Sequence, residues 1–374
     1  MVEALYVHIP FCNKICTYCD FYKMVAKVPY KTEYIKHLVE EIKLKEHMFS
    51  DLKTIYIGGG TPSALPLNLI DYFLYHLTKN IDLNKVIEFT IEANPIDITD
   101  DFVKLVKKYG VNRISLGVQS FDNDKLKFLG REHNSEIAEN SVKTIKRNGI
   151  NNINIDIIYA TPNDSFKRVK QDLKKALSLN VNHISTYSLI LEEKTQLYHK
   201  YLKEEFIPFD QDIEYKIYYK IKRFLKFHGF NHYETSNFAK PSYEGIHNQV
   251  YWTNEKYLGI GAGASYYIDN VRYTNIMNIK EYFEGVTNKE LRYAEKIEIT
   301  KKEAMQEEMI LGLRLIKGID INHFYEKFNI SIFEAFPIIN NLLKMKQLQI
   351  TKNNRLIIPY KYLYLSNAVL RNFI

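Results

Sequence analysis

The chain of 374 residues is long enough for one large domain with a smaller one attached, or for two domains. Its 46% hydrophobic and 25% charged residues are typical of a globular protein with a sizeable core. No apolar run approaches the roughly 18 residues of a membrane span. Three cysteines are too few for a disulfide framework, and Met1–Glu3 lacks the basic start of a signal peptide, so we expect a cytoplasmic protein. The net charge of +7 suits acidic small molecules or a peripheral position at an anionic membrane.

The first 190 residues alternate strand-like runs with amphipathic helical patterns, which is typical of βα units in a parallel sheet. The predicted strands are Leu5–Ile9, Thr54–Ile57, Ile87–Glu92, Arg113–Val118, Asn152–Ile158 and His183–Leu189. The predicted helices between them are Lys31–His47, Leu67–Lys79, Asp101–Tyr109, Ser135–Asn148 and Ser165–Leu179. Six such units are too few to close an eight-stranded barrel. We therefore expect an α/β fold with an open, partial (β/α)6 barrel and a site at the carboxyl ends of its strands.

The chain after the sixth strand divides into three parts by pattern. Asp210–Phe227 reads as a long helix that completes a first domain over residues 1–230. An irregular segment rich in aromatic residues and glycine follows over residues 231–299. Its glycine run Gly259–Gly263 predicts a tight turn, and Asp269-Asn270 predicts a hairpin turn.

Residues 300–374 predict a smaller, mainly helical domain that resembles a winged helix. Helical patterns are followed there by the strand candidates Leu348–Thr351 and Leu356–Ile358, with a short turn between them. A winged helix raises the question of DNA binding. The helix expected to read bases, Ser331–Lys346, is mostly apolar and contains no arginine, so it offers little to base edges. We therefore expect a packing or docking module and no nucleic acid partner.

All three cysteines lie in one short stretch after the first predicted strand. Cys12, Cys16 and Cys19 have the spacing C-x3-C-x2-C, which is close enough for three thiolates to converge on one metal centre. A [4Fe–4S] cluster held by three cysteines keeps one iron with an open coordination position. Two alternatives remain open. His8 could join the cysteines as a fourth zinc ligand, or the three could be unrelated buried thiols.

The cysteine motif, with Tyr18 before its third cysteine, resembles that of the radical S-adenosylmethionine (SAM) family. In that family the open iron binds the amino and carboxylate groups of SAM. The run Gly58-Gly59-Gly60 after the second strand resembles the stretch that holds the amino group of SAM, although a tight βα turn would also use glycine. The positions that the resemblance implies for SAM binding are Tyr6, Gly59, Gly60, Thr61, Glu92, Gln119, Arg131 and Asp156.

Over nearly its whole length the chain is similar to the oxygen-independent coproporphyrinogen III oxidase family, and within it to the HemW-like heme-chaperone branch. The oxidases resemble C-x3-C-x2-C-x-C, whereas Phe21 stands here at the position of the fourth cysteine. The oxidases also carry an extension before the first strand, which a chain starting five residues before Tyr6 is expected to lack.

The heme-chaperone branch carries a heme-binding H-N-x-x-Y-W motif, which stands here at residues 247–252. The resemblance implies that His247 ligates heme iron and that Tyr251 and Trp252 contact the macrocycle. A lone histidine in an aromatic loop is more often a structural hydrogen-bonding group. The resemblance further implies delivery of heme to membrane respiratory heme proteins, and it leaves a homodimer open. The alternative function is SAM-dependent oxidative decarboxylation of coproporphyrinogen III, so the sequence leaves enzymatic activity undecided.

Overall fold

The computed structural model of the chain describes residues 2–374, and a nine-stranded sheet forms the centre of this part. The strands are β1 (Ala4–Ile9), β2 (Phe11–Cys12), β3 (Met24–Val25), β4 (Thr54–Gly59), β5 (Glu88–Ala93), β6 (Arg113–Gln119), β7 (Asn152–Tyr159), β8 (His183–Ser188), β9 (Asn231–His232), β10 (Asn237–Ala239), β11 (Leu258–Ile260), β12 (Ser265–Ile268), β13 (Val271–Asn275), β14 (Tyr293–Glu298), β15 (Ile319–Asp320), β16 (Gln349–Ile350) and β17 (Arg355–Ile357).

The helices flank the sheet and make up most of the last part of the chain. They are α1 (Val28–Lys45), α2 (Leu67–Thr78), α3 (Asp100–Lys108), α4 (Asn123–Phe128), α5 (Ser135–Arg147), α6 (Phe166–Ser178), α7 (Gln196–Leu202), α8 (Gln211–Phe227), α9 (Ile246–Trp252), α10 (Ile279–Thr287), α11 (Lys301–Gly312), α12 (Ile321–Phe328), α13 (Ile332–Ala335), α14 (Ile338–Lys344) and α15 (Ser366–Leu370). Single turns of 3-10 helix cover Glu46–Met48, Pro62–Ala64, Pro95–Asp97, Tyr360–Tyr362 and Arg371–Phe373.

The order of strands in the main sheet is β11-β1-β4-β5-β6-β7-β8-β10-β9. The six strands predicted from the sequence are its middle members, and they run parallel to their neighbours. β11 adds a parallel strand beside β1, while β10 and β9 extend the other edge in antiparallel pairs. Because β11 and β9 are edges, the sheet formed by residues 2–374 is an open partial barrel, which confirms the predicted fold class.

The parallel strands alternate between an apolar outer face and a polar inner face, as the two-residue period of a strand requires. On β6, Ile114 and Leu116 are fully buried under the helices, whereas Arg113 and Ser115 face the inside of the barrel. Complete barrels usually fill this interior with branched apolar side chains. Here the interior is polar and holds a cavity, so the inner face is available for ligands.

The last part of the chain forms a second hydrophobic core with the helix and strand order of a winged helix. α11, β15, α12, α14, β16 and β17 follow one another, and β17 pairs with both β15 and β16. The predicted helix over Ser331–Lys346 is broken into α13 and α14 before Pro337, which cannot continue a helix from the preceding residue. Tyr218 of α8 packs into this second core. The predicted boundaries at residues 230 and 299 stay predictions.

The segment predicted to be irregular contains more regular structure than expected. The H-N-x-x-Y-W stretch is the helix α9 rather than a loop. Leu258–Ile260 is a strand beside β1, so the predicted glycine turn is confined to residues 261–263, where both glycines have positive φ. The hairpin at Asp269-Asn270 is confirmed, and both residues have the positive φ that such a turn needs. No helix among residues 2–374 has the length and apolar character needed to cross a bilayer.

A buried ion cluster supports the loop that follows β6. The Lys125 Nζ atom lies 3.1 Å from an oxygen of Asp164 and 3.3 Å from an oxygen of Asp172. Asp172 also accepts hydrogen bonds from the Phe121 backbone N–H and the Ser120 hydroxyl, at 2.7 and 2.8 Å. One cation is therefore shared by two carboxylates, and one of these carboxylates fixes the backbone just after β6.

We predict that Lys125→Met destabilises the protein by about 3–5 kcal/mol, because it leaves two buried carboxylates without a cation. The measurement is the free energy of unfolding from urea titration. Lys108→Met is the matched control, since the ion pair of Lys108 with Asp71 is exposed and its loss should change stability little. Equal losses in the two variants would show that the buried cluster has no special role.

Candidate functional site

A cavity of about 460 Å³ opens at the carboxyl ends of the parallel strands and continues into the barrel. Its wall combines the cysteine loop with the ends of β4 to β8. The predicted site residues that line it are Cys12, Cys16, Cys19, Gly59, Gly60, Thr61, Glu92, Gln119, Arg131 and Asp156. The structure thus brings together ten residues that lie between positions 12 and 156 of the sequence.

The cysteine loop leaves β1 at Pro10 and folds over the end of the sheet. Its short strand β2 pairs in parallel with β3, so that Cys12 lies beside Val25. The Thr17 backbone N–H donates to the Leu129 carbonyl at 3.3 Å, and the Leu197 N–H donates to the Thr17 carbonyl at 2.8 Å. These bonds tie the loop to segments near α4 and α7, so the barrel itself fixes the positions of the thiols.

Two side chains donate hydrogen bonds to cysteine sulfur atoms. The Thr61 hydroxyl lies 3.3 Å from the Cys12 Sγ atom, and an Arg131 guanidinium nitrogen lies 3.2 Å from the Cys16 Sγ atom. Burial raises the pKa of the thiols of Cys12 and Cys19. The hydroxyl of Thr61 and the guanidinium of Arg131 are donors that suit a thiolate acceptor. A bound metal cation would favour the thiolate form over the buried thiol.

The zinc alternative needs His8 next to the cysteines, and the structure engages His8 elsewhere. Its Nδ1 atom is hydrogen-bonded to the Tyr6 hydroxyl at 2.8 Å, and its Nε2 atom to the Tyr22 carbonyl at 3.0 Å. Among residues 2–374, no three histidine, cysteine or acidic side chains meet closely enough to share a single metal ion. A cubane cluster makes a different demand, because each of its cysteines binds a different iron atom.

The glycine run at the end of β4 is required by packing against protein atoms. A Cβ atom at Gly60 would lie 2.9 Å from backbone atoms of Pro10 and Phe11, and one at Gly59 would lie 2.7 Å from the His8 ring. Gly59 also has φ of 115°, which favours glycine. Ligand contact is therefore not needed to explain why these two positions are glycine, although both also line the cavity.

Two carboxylates face the cavity from neighbouring parts of the barrel. Glu92 accepts hydrogen bonds from the Tyr56 hydroxyl at 2.7 Å and from the Gly59 N–H at 3.2 Å. Burial raises the pKa of the Glu92 carboxyl to about 7. Part of the side chain still faces the cavity. Burial also raises the pKa of Asp156, which accepts a hydrogen bond from Asn154 at 2.8 Å. Both carboxylates have room to accept from ligand hydroxyl groups.

Gln119 and Arg131 complete the wall beside the cysteines. Gln119 ends β6 with φ of 66°, which is uncommon for a residue with a side chain. Arg131 donates to the Gly117 carbonyl at 2.5 Å and to the side-chain oxygen of Asn94. It therefore anchors the ends of β5 and β6 while its other nitrogen reaches Cys16. Tyr6 is not among the residues that line the cavity, and its ring lies 6.2 Å from that of Tyr56.

The predicted heme motif lies across the amino ends of the strands, where its Asn248 lines the inner end of the same cavity. α9 crosses the amino ends of the strands, where Glu88, the first residue of β5, accepts from the N–H groups of Ile246 and His247 at 2.8 and 3.3 Å. The His247 side chain has 0% of its surface exposed. Its ring nitrogens are hydrogen-bonded to the Thr54 hydroxyl at 2.9 Å and to the Tyr251 hydroxyl at 2.8 Å.

Burial lowers the pKa of His247 to about 3, so the imidazole is neutral, as a metal ligand must be. Neither ring nitrogen is free in this conformation, and ligation of heme by His247 stays a prediction. Tyr251 lines a second cavity of about 230 Å³ beside α11, and the Arg314 guanidinium lies 5.7 Å from the centre of the Trp252 ring. Heme contacts through these two side chains also stay predictions.

Sequence reasoning missed several cavity residues, and Tyr56 and Arg113 are the two that matter most here. Tyr56 and Arg113 line the cavity, and only 2% of the Arg113 surface is exposed. The two-residue alternation of side-chain direction along each strand could have identified both. Tyr56 lies two residues before Gly58, and Arg113 lies six residues before Gln119, so each shares a face with residues already placed near the site.

Comparisons with known proteins agree with this arrangement. The family model of the radical SAM superfamily matches residues 6–176, and that of the HemN C-terminal domain matches residues 299–354. The solved structure of coproporphyrinogen III oxidase from Escherichia coli, described as a radical SAM enzyme, superposes with a TM-score of 0.86 at 23% identity, covering 100% of this chain and 90% of that one. The fold is therefore that of a radical SAM protein.

Two relatives identify the family to which the chain belongs within this superfamily. Heme chaperone HemW of Lactococcus lactis is 40% identical over 100% of this chain and 97% of that protein. Heme chaperone HemW of Bacillus subtilis is 36% identical over 100% of this chain and 99% of that protein. The chain belongs to the HemW family.

We predict that Gly60→Ala destabilises the protein by about 1–3 kcal/mol, because the added Cβ atom overpacks against a fixed backbone. Thermal unfolding measures the change. Gly245→Ala is the control, since the Cβ atom there would meet only the end of the Tyr233 side chain closer than 3.4 Å. If Gly60→Ala is as stable as the control variant, the end of β1 can yield and the close contact is not a constraint.

Proposed function

We propose that this protein is a heme chaperone that carries a [4Fe–4S] cluster, binds SAM and delivers heme to membrane respiratory heme proteins. The observation that carries the proposal is the match, over nearly the full length of both chains, to relatives that bear the name heme chaperone HemW. The cavity supports it, because it offers thiols, carboxylates and a guanidinium to ligands within one space.

The residues that would hold the cluster are Cys12, Cys16 and Cys19. All three thiols line one cavity, and the donors from Thr61 and Arg131 would stabilise sulfur in its thiolate form. When bound, such a cluster supplies an iron atom with an open coordination position. The protein contributes the fixed loop, the hydrogen-bond donors and a partly enclosed space.

The residues that would hold SAM are those at the strand ends around the same cavity. Glu92 and Asp156 offer acceptors that suit the ribose hydroxyl groups, and Arg131 offers a planar donor that suits a carboxylate. The backbone of Gly59, Gly60 and Thr61 lines the cavity beside the cysteine loop. Gln119 faces the same space. Tyr6 does not line the cavity and would contribute indirectly, by packing against Tyr56.

Heme is proposed to bind at α9 through His247, with Tyr251 and Trp252 beside the macrocycle. Since both His247 ring nitrogens have partners inside the protein, α9 has to separate from β4 before the imidazole can reach iron. The neutral state of the imidazole favours ligation once it is exposed. The recipient membrane proteins and a homodimer rest on the family resemblance alone.

The rival function is oxidative decarboxylation of coproporphyrinogen III. Phe21 occupies the position of the oxidases' fourth cysteine, and 68% of its surface is exposed at the rim of the cavity. A phenylalanine there can contact a ligand but cannot bind iron or transfer a proton. This substitution favours the chaperone over the enzyme.

We predict that the protein purified without oxygen is brown and contains about four irons per chain, the content of one cubane cluster. Replacement of Cys12, Cys16 or Cys19 with serine should each abolish the iron, because no other thiol can substitute. Thr17→Ala is the control within the same loop and should keep the iron. A colourless protein with one zinc per chain would rule out the cluster.

We further predict that the protein binds heme and does not consume coproporphyrinogen III in the presence of SAM and a reductant. His247→Ala should shift the Soret band and weaken binding, because iron loses a ligand while the apolar contacts of the macrocycle remain. Tyr251→Phe is the matched variant, since it frees the Nε2 atom of His247 and should retain the Soret band of the unaltered protein.

Two results would contradict this prediction. An unaltered Soret band in His247→Ala, in a variant shown to be folded by circular dichroism, would assign the iron to another ligand. Formation of protoporphyrinogen from coproporphyrinogen by the unaltered protein would replace the chaperone with the oxidase. The two measurements are made on one anaerobic preparation, so the iron content is the same in both.

A further inference from the structure

A continuous line of contacts joins the cavity at the carboxyl ends of the strands to α9 at their amino ends. The Gly59 N–H donates to Glu92 at 3.2 Å, and the Tyr56 hydroxyl donates to the other oxygen of Glu92 at 2.7 Å. The Tyr56 ring then stacks on the His247 ring, with 5.2 Å between the centroids and 26° between the planes. One tyrosine therefore contacts a cavity carboxylate and the histidine of the heme motif at the same time.

The far end of this line is a helix held by a small number of specific bonds. Glu88 accepts from the first two N–H groups of α9, and the His247 imidazole bridges the hydroxyl groups of Thr54 and Tyr251. The helix has only seven residues, so its own hydrogen bonds contribute little to keeping it formed. Its position depends in part on these contacts with β4 and β5, and the stacked Tyr56 ring is one of them. α9 also packs against α11, and the Arg314 guanidinium lies over the Trp252 ring.

We propose that Tyr56 is a positioning residue that couples the SAM cavity to α9, so that SAM and heme weaken each other's binding. This inference rests on the proposed function, in which SAM contacts Glu92 and heme iron binds His247.

The direction of the coupling follows from what each ligand requires. A hydroxyl group of SAM that donates to Glu92 restricts the carboxylate to one orientation and so fixes the acceptor of the Tyr56 hydroxyl. The Tyr56 ring is then held beneath His247, which stabilises the closed position of α9. Heme requires the other position, in which His247 has left Thr54 and Tyr56. Two ligands that favour different states of one element must oppose each other, and the effect is reciprocal.

The first test is a heme titration of the protein containing its cluster, with and without SAM. SAM should raise the Kd for heme about fivefold or more in the unaltered protein. In Tyr56→Phe, which keeps the ring but removes the hydroxyl donor to Glu92, the effect of SAM should fall to within about twofold. Both proteins should have the same iron content, because Tyr56 is not a cluster ligand.

Tyr282→Phe is the matched control. Tyr282 is also buried and also donates to a buried carboxylate, that of Glu41, at 2.7 Å. It lies on α10, outside the barrel, and lines neither of the two cavities described above. Loss of its hydroxyl should leave the effect of SAM on the heme Kd unchanged, so any general effect of removing a buried tyrosine hydroxyl is measured separately.

The second test uses no heme. Amide hydrogen exchange of the peptide covering residues 244–252 reports how often α9 leaves Glu88, because the Ile246 and His247 N–H groups are bound to it. SAM should slow this exchange in the unaltered protein and in Tyr282→Phe, but not in Tyr56→Phe. The readout stays valid even if heme binds elsewhere, so failure of the proposed function and failure of the coupling are distinguishable.

Two outcomes would overturn the inference. One is an α9 exchange rate that SAM leaves unchanged in the unaltered protein, while SAM binding is verified by its effect on the cluster spectrum. The other is a Tyr56→Phe variant in which SAM still slows the exchange and still raises the heme Kd as in the unaltered protein. Either result would mean that the contact line carries no coupling.

Discussion

The contact between Gly60 and the backbone at Pro10 and Phe11 is the constraint on which the site depends. β1 and β4 are parallel neighbours that end together, and with no side chain between their ends the chain after β1 can fold across the end of β4. The cysteine loop begins at that crossing, and Thr61 follows Gly60 directly with its hydroxyl on Cys12. A larger residue at position 60 would move the thiols and the carboxyl end of β4 apart.

The inner face of the barrel carries polar side chains, and these need hydrogen-bonding partners. Glu92 is held by Tyr56 and by the Gly59 N–H, Asp156 by Asn154, and Arg113 reaches only the Thr90 hydroxyl at 3.5 Å. Buried charges without close partners lower stability, and proteins keep them mainly where they bind or react. The interior is therefore better explained as a ligand site than as a core.

Much of the fold was predictable because the βα units have clear periods. All six central strands and the five predicted helices between them lie within a few residues of their predicted positions, whereas the short helix α4 between β6 and β7 was not predicted. α9 was missed because a seven-residue helix has no amphipathic period to detect, and its N-terminal partner, Glu88, is 158 residues away in sequence. β11 was missed because it is three residues long and contains Gly259. The burial of His247 was likewise invisible, since it is created by Thr54 and Tyr56 from a distant strand.

The position of α9 gives His247 and Tyr251 a structural role that does not depend on any ligand. Replacing His247 would leave the Thr54 and Tyr251 hydroxyl groups without their partner inside the barrel, whatever ligand the protein carries. Selection for stability alone would thus preserve His247 and Tyr251, even in a related protein that did not bind heme. In such a protein the two residues would indicate the fold of the barrel and would not by themselves indicate heme binding.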